Sequence, residues 1–208
     1  MLKQVITYSA IGIGAVIMIG CLNSRNSIRT TVADLISDTS EFAVFQEGTS
    51  QARLILGGLP LDVFVDVEKG EEGQTELTIA HDSTEIERER YIVRGSTVML
   101  DQAIGETYEP SIVLLKSPIE NEATWSWTGK MTAGELVRPA RATVSVTRER
   151  LNTEVGNFNS LRSDVKLQIE ASPGQTVDRT LHFWFVEDHG IIQRDFSGVS
   201  TRLPARSE

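Results

Sequence analysis

The side chains that can take part in the widest range of reactions in this 208-residue sequence are one cysteine and three histidines. His182 and His189 lie seven positions apart, across a predicted strand and turn, and this spacing matches no known set of metal ligands. His189 follows two acidic residues, so a hydrolytic site would form only if the fold brought this turn close to Glu106 or Asp101. Neither a G-x-S-x-G motif nor a phosphate-binding loop occurs outside the first twenty residues. The sequence therefore predicts a non-enzyme with no catalytic residue, no metal site and no cofactor.

Cys21 is the only cysteine, and it follows a segment typical of a secretory signal. Lys3 provides a positive charge, and the sixteen residues from Val5 to Gly20 are mostly apolar. That run is shorter than the roughly 18 residues of a membrane-spanning helix, and polar residues and glycines dilute it. A signal peptide over residues 1–20 is therefore predicted. A lone thiol in an oxidising compartment cannot form an internal disulfide, so a modification that consumes it is favoured.

The residues Met18-Ile19-Gly20-Cys21 resemble the lipobox of bacterial lipoproteins. In that family the signal peptidase cuts before the cysteine, whose sulfur carries a diacylglycerol. The resemblance implies cleavage between Gly20 and Cys21, lipidation of Cys21, and a membrane-anchored protein of the bacterial cell envelope that faces the periplasm or the exterior. An uncleaved signal anchor and an ordinary signal peptide with an incidental cysteine are the alternatives.

The charge of the chain restricts its partners. It carries 20 basic and 29 acidic residues, a formal net charge of −9, which becomes −10 if Lys3 leaves with the signal peptide. An acidic surface repels nucleic-acid phosphates and anionic lipid headgroups. We therefore expect no nucleic-acid partner, and a membrane link through covalent lipid rather than a basic patch. An envelope protein or a hydrophobic ligand is the remaining kind of partner.

Short strands dominate the sequence from residue 41 onward. Leu61–Glu68 and Arg141–Thr147 alternate apolar and polar residues, which places one apolar face on a sheet. Thr84–Val93 carries mixed charges that would also suit a helix, but its β-rich neighbours favour a strand. Leu181–Val186 has bulky residues on both faces, which indicates a central strand. The predicted fold class is mainly β, as an antiparallel sandwich or an open half-barrel.

The predicted organisation is a signal peptide over 1–20, a lipidated tether with an optional short helix over 21–40, a β domain over 41–199 and a polar tail over 200–208. The halves of the β domain, about 41–105 and 106–199, share an order of strands and turns. An internal repeat is therefore an alternative to two unrelated meanders. A loop-rich connection is expected over Ala103–Pro118, where two prolines bracket a short apolar run.

Two tryptophans are the candidates for a ligand surface. Trp125 and Trp127 are two positions apart and so share one face of a predicted strand. Packing in the core is the favoured interpretation, whereas exposure of that face would mark a binding surface.

The second half carries a further resemblance, over roughly residues 110–195. It rests on Ala123-Thr-Trp-Ser-Trp-Thr-Gly129, Val155-Gly-Asn-Phe158 and Trp184-Phe-Val-Glu-Asp-His-Gly-Ile-Ile-Gln-Arg194. These stretches are similar to the opening, middle and closing motifs of a widespread group of uncharacterised secreted bacterial β proteins. The resemblance implies a β-rich envelope domain without an established activity.

Two functional hypotheses follow. The first is a lipid-anchored envelope lipoprotein with a non-catalytic binding, assembly or structural role. The second is a carrier in which the curved apolar face of a half-barrel holds a lipid or another hydrophobic ligand. A hollow lined from both halves favours the carrier, and a close-packed interior opposes it.

Overall fold

The computed structural model of the chain describes residues 13–16, 36–56, 59–119, 122–153 and 156–202. Eleven strands between Gly48 and Arg202 form one antiparallel sheet, in which each strand pairs with the next and the sheet curls into a half-barrel. A further short strand, β1, pairs with both β2 and β12 and so joins the two edges of this eleven-strand sheet. The strands are β1 (Ile13–Val16), β2 (Gly48–Leu56), β3 (Leu59–Lys69), β4 (Gln74–His81), β5 (Thr84–Arg94), β6 (Thr97–Ala103), β7 (Glu106–Leu115), β8 (Glu122–Ala133), β9 (Leu136–Thr153), β10 (Gly156–Ser172), β11 (Gln175–Val186) and β12 (Gly190–Arg202). The predicted antiparallel β fold is confirmed, in its half-barrel form.

Alternation along each strand sets the face that turns inward. On β3, Val63, Val65 and Val67 are buried, and the residues between them are more exposed. β5 follows the same period of two, which confirms the strand predicted over Thr84–Val93 against the helical alternative. The inward positions of β5 before Tyr91 are the glutamates Glu87 and Glu89 rather than apolar residues.

Side chains from both ends of the meander fill the concave side of the sheet. Leu54, Leu100 and Val144 are fully buried there, on β2, β6 and β9. Phe183 of β11 meets Tyr91 of β5 edge to face, with ring centroids 6.5 Å apart, across the interior. The strands thus share one core rather than two.

β11 has bulk on both faces, as predicted, but it lies between β10 and β12, next to the last strand of the eleven, and not at the centre of the sheet as the sequence suggested. Its inward residues, including Phe183, lie in the main core, whereas Trp184 and Val186 point to the convex side. There they form a smaller apolar cluster with Leu151 and Ile192, against which Phe158 packs.

The loop-rich connection expected over Ala103–Pro118 is mostly a strand, so that prediction is wrong. β7 occupies Glu106–Leu115. Pro110 is tolerated because the ladder between β7 and β8 ends at Glu109, and no partner then requires the N–H that proline lacks. Pro110 thus marks the end of a backbone ladder, not the absence of a strand, whereas Pro118 lies beyond β7.

The amino-terminal predictions fall largely on residues that the structure does not describe. Gly20, Cys21 and the predicted signal peptide lie outside the described residues, apart from the four residues of β1. The predicted tether is described from Ile36, which forms an isolated antiparallel bridge with Ile119. A 3-10 turn follows at Ser40–Phe42.

The predicted halves join through the β6–β7 hairpin, within the continuous sheet. At the carboxyl end, β12 continues to Arg202, past the start of the predicted polar tail. Residues 203–208 lie outside the described residues.

Candidate functional site

A cleft of about 800 Å³ lies beside β2, β3 and β4, at the turn that joins β11 to β12. Its floor consists of buried apolar residues on the concave side of the sheet, namely Ala52, Val63, Val65, Val67 and Leu77. Residues 44–47 complete the lining together with His189 and Ile191 from the second half of the chain. This volume is within the range of about 300–1,000 Å³ that is usual for small-molecule sites.

The rim of the cleft is polar and exposed. The Arg53 Nε atom lies 3.6 Å from the Asp62 carboxylate. The His81 Nε2 atom lies 3.3 Å from the Asp82 carboxylate, and its Nδ1 atom is 2.9 Å from the backbone oxygen of Asp62. An apolar floor with a few polar groups at the mouth is the usual composition of a site for a hydrophobic molecule with a polar end.

Residues 40–47, here termed the strap, lead into β2 and lie against the β11–β12 turn. The N–H of Asp188 donates to the backbone oxygen of Glu41 at 2.8 Å. Just before the strap, the buried Thr39 hydroxyl donates to the backbone oxygen of Ser96 at 2.5 Å. Phe45 is buried, with its ring centroid 5.3 Å from that of Tyr91. The strap is therefore attached to two turns and to the core.

Gly190 allows the closest approach between the strap and the turn. Its φ of +70° is in the left-handed region that favours glycine, and a Cβ built there would overlap the backbone oxygen of Val44. Nearby, a hydrogen bond with the Glu41 carboxyl group raises the pKa of Glu187, and burial and the charge of Asp188 act in the same direction.

A buried ionic cluster lies one strand beyond the cleft floor. Leu77 of the floor is the ladder partner of Glu89 on β5, and Glu89 is fully buried. Arg194 of β12 is also fully buried, and its guanidinium group contacts the carboxyl groups of Glu89 and of Glu87, the latter at 3.4 Å. The Tyr91 hydroxyl donates to Glu89 at 2.7 Å. Through Tyr91, this cluster touches the ring of Phe45 on the strap.

The protonation of the cluster follows from its composition. One cation, Arg194, faces two carboxyl groups, so the cluster is neutral only if one carboxyl group keeps its proton. Burial raises the pKa of Glu89 to about 8, against the opposing attraction of Arg194 and with the support of the Glu87 charge. At neutral pH, Glu89 therefore holds the proton and one carboxylate remains to face Arg194.

A second ion pair crosses the interior between β7 and β11. Arg179 and Tyr108 both donate to Glu106, at 2.5 and 3.0 Å. Burial, with the Glu106 charge beside it, raises the pKa of the Tyr108 hydroxyl well above its ordinary value. Glu106 is thus part of a structural ion pair.

His189 lines the cleft, but its neighbours are not the carboxylates that a hydrolytic site requires. Its Nδ1 atom is 2.7 Å from the backbone oxygen of Glu187, and its ring packs on Phe158 with centroids 5.9 Å apart. Glu106 is bonded as described above, and Asp101 accepts from Arg90 at 2.6 Å. The structure places these three sequence candidates in separate interactions.

Trp125 and Trp127 share the inward face of β8, as their spacing predicts. Trp127 is buried and donates its indole N–H to the backbone oxygen of Pro110 at 2.7 Å, whereas Trp125 is half-buried and donates to that of Val113 at 2.9 Å. These bonds connect β8 to β7 where the backbone ladder has ended. Trp127 also borders a second hollow of about 560 Å³ with Lys166 and neighbouring residues.

His182 lies on the convex side, away from the cleft. Its Nδ1 atom is 2.5 Å from the Asp164 carboxylate, which also accepts from Arg162 at 2.7 Å. Among the described residues, no group of three or more His, Cys, Asp or Glu side chains is arranged to hold a metal ion. In the same part of the chain, no helix is both long and apolar enough to cross a membrane.

Comparison with known proteins provides no identification. No protein-family model matches the chain, and neither does any curated protein or solved structure. A functional assignment therefore depends on the site itself.

The cleft, the strap and the buried cluster were not predicted from the sequence. The one available signal was the phase of β5, because Glu87 and Glu89 fall on the same face as Tyr91. Glutamates in phase with a core residue indicate a buried cation elsewhere in the fold, since buried charges need partners. Nothing in the sequence identifies Arg194 as that cation.

Proposed function

We propose that this chain is a lipid-anchored lipoprotein of the bacterial cell envelope that binds a hydrophobic ligand in the cleft without catalysis. The observation that carries the proposal is the cleft of about 800 Å³, with its floor of buried aliphatic side chains. Buried side chains occupy much of the remaining concave side in the described part of the chain, and the second hollow is smaller, at about 560 Å³. The ligand space is therefore the cleft and not the whole interior of the half-barrel.

The cleft favours ligand binding over a purely structural role, and it supports the carrier alternative in a restricted form. Its lining comes from both predicted halves, although His189 and Ile191 are the contribution of the second half. Floor residues such as Val65 and Leu77 offer apolar contact, while Arg53 and His81 at the rim offer polar contact. A molecule with an apolar body and a polar end fits this arrangement best.

The anchoring part of the proposal depends on the sequence. Cys21 is the only cysteine, it ends a signal-like segment, and its surroundings resemble a lipobox. Several acyl chains hold a protein on a bilayer far more firmly than one, because each buried CH₂ contributes about 0.8 kcal/mol. A chain of net charge −9 is not attracted to anionic headgroups, so lipid is the attachment that fits this chain.

Lipidation is tested by labelling. We expect the full-length chain, expressed in a bacterial host, to incorporate radiolabelled palmitate and to fractionate with membranes. Cys21→Ala is expected to abolish incorporation, because no other cysteine can carry the thioether. Ser24→Ala is the control, because it changes a nearby residue and leaves the thiol in place. Incorporation that persists in Cys21→Ala would contradict this part of the proposal.

Ligand binding is tested by filling the cleft. The probe is N-phenyl-1-naphthylamine, an apolar dye whose fluorescence increases away from water. Ala52 is a small buried residue of the cleft floor, so Ala52→Leu is expected to raise the dissociation constant of the dye at least about tenfold, equivalent to about 1.4 kcal/mol.

The matched control for this experiment is Ala123→Leu. Ala123 is half-buried against the same core but does not line the cleft. It is expected to leave the dye affinity unchanged. Equal affinities of wild type and Ala52→Leu, or no binding by wild type, would show that the cleft is not the ligand site.

A further inference from the structure

The strap and the cleft share residues. Residues 44–47 of the strap belong to the cleft lining, and the β11–β12 turn that contacts the strap also supplies His189 to that lining. Any movement of the strap relative to the turn therefore changes the width of the cleft. No regular strand or helix covers Ala43–Glu47, so no ladder of backbone hydrogen bonds fixes this stretch to the sheet.

Three contacts between the strap and the rest of the protein bear on its position over the cleft. The N–H of Asp188 bonds to Glu41, the side chain of Phe45 inserts beside Tyr91, and the backbone at Val44 passes directly over Gly190. The last contact depends on a missing side chain, since only glycine leaves room for the Val44 oxygen. The contacts at Phe45 and at Gly190 can each be changed by one substitution, the first on the strap and the second on the β11–β12 turn.

We propose that the strap is a mobile wall of the cleft that controls the access of the ligand. Its contacts with the β11–β12 turn stabilise the closed position. This inference rests on the proposed function, in which the cleft is the ligand site. The floor residue Val65 lines the cleft and is 1% exposed in this structure, so a group at this position becomes accessible only when the surrounding residues move apart. Loading and release then require the strap to leave the turn.

The test measures how often the floor becomes accessible and requires no ligand. In the full-length chain carrying Cys21→Ala, Val65→Cys places a single thiol on the floor of the cleft. Its rate of reaction with N-ethylmaleimide reports the population of the open state. Gly190→Ala is expected to increase this rate about tenfold, because the new Cβ displaces the strap at Val44.

Two controls distinguish movement of the strap from a general loss of stability of the fold. Gly134→Ala introduces a side chain at a similar φ of +59°, where nothing lies within 4 Å, so it adds backbone strain without touching the strap. It is expected to leave the rate unchanged. Val144→Cys places the thiol at a fully buried position outside the cleft, and its rate is expected to stay the same in Gly190→Ala.

Phe45→Ala provides an independent variant if Gly190→Ala does not fold. It removes the strap's contact with Tyr91 and is also expected to accelerate labelling of Val65→Cys. The inference is overturned if neither variant changes that rate, or if the thiol at position 144 is accelerated equally. If labelling of Val65→Cys is accelerated but N-phenyl-1-naphthylamine does not bind to the wild type, the strap moves as inferred and the proposed function is refuted.

Discussion

Replacing Arg194 by methionine is expected to lower the free energy of unfolding by roughly 3–5 kcal/mol, as is usual when one partner of a buried ion pair is removed. Methionine has a similar length and keeps contact with neighbouring apolar groups, so the loss of charge dominates the effect. Two carboxyl groups, those of Glu87 and Glu89, then remain in the interior without their cation. Urea denaturation followed by tryptophan fluorescence at pH 7 measures the change.

The matched control is Arg90→Met, on the strand that also carries both glutamates. Arg90 forms an ion pair with Asp101 at 2.6 Å, but its side chain is 33% exposed. The Asp101 carboxylate that is left behind is 18% exposed and still accepts from the Ser111 hydroxyl at 2.8 Å, so the expected loss is only about 1 kcal/mol. Similar losses in the two variants would show that the buried cluster has no special role in stability.

A compensated variant identifies the cause of the loss. Glu87→Gln and Glu89→Gln combined with Arg194→Met remove all three ionisable groups from the cluster. We expect this variant to recover most of the stability lost in Arg194→Met, because no uncompensated charge remains buried. A compensated variant as unstable as Arg194→Met would assign the loss to packing rather than to charge.

The sequence predicts the strands well because the period of two is a local property. Leu61–Glu68 alternates apolar and polar residues, and the structure has β3 there with its valines turned inward. The strand expected at Thr84–Val93 from its β-rich neighbours is also correct in spite of the charges, and the structure shows the same period of two there. Local alternation does not determine how far a sheet curls, so sandwich and half-barrel were equally compatible with the pattern.

The error at Ala103–Pro118 has a physical reason. Proline was interpreted as a sign of irregular structure, since it cannot donate to a ladder. In the structure, Pro110 lies where β7 separates from β8, and two indole N–H groups from Trp125 and Trp127 bond to β7 there. Side-chain donors thus replace a backbone ladder, and spacing alone cannot predict such a replacement.

The candidate site was beyond prediction because its parts are distant in sequence. Glu87 and Arg194 are 107 residues apart, and the strap at residues 40–47 meets a turn near residue 190. Such contacts depend on the order of strands around the sheet, which composition and periodicity do not encode. The one long-range signal that the sequence contained, and that was not used, is the phase of Glu87 and Glu89 with Tyr91, since inward glutamates require a cation or a proton.

The stability of the protein is expected to fall as the pH rises from 4.5 to about 8, because of Glu89. Burial raises its pKa from the ordinary value of 4.5 to about 8 in the folded protein. Between these two values the folded protein keeps the proton on Glu89 and the unfolded chain has lost it. The stabilisation is therefore complete below pH 4.5, and it is lost as the pH rises through about 8. The largest slope from one such group is about 1.4 kcal/mol per pH unit.

Glu89→Gln tests this assignment, because glutamine resembles the protonated side chain and cannot ionise. We expect the variant to lose most of the downward slope between pH 5 and pH 8 in urea denaturation, and to be more stable than wild type at pH 8. The carbonyl oxygen of the introduced amide can still accept from the Tyr91 hydroxyl, which in wild type donates to the Glu89 side chain at 2.7 Å.

Glu187→Gln is the control for the other glutamate whose pKa is raised. Its partner Glu41 raises that pKa, so Glu187 contributes a slope of the same sign. The contribution is expected to be small, because solvent screens a turn residue more strongly than a buried one. A wild-type stability that stays constant or rises from pH 5 to pH 8 would contradict the assignment. So would a Glu89→Gln variant that keeps the full slope, because either result would place the buried proton somewhere other than on Glu89.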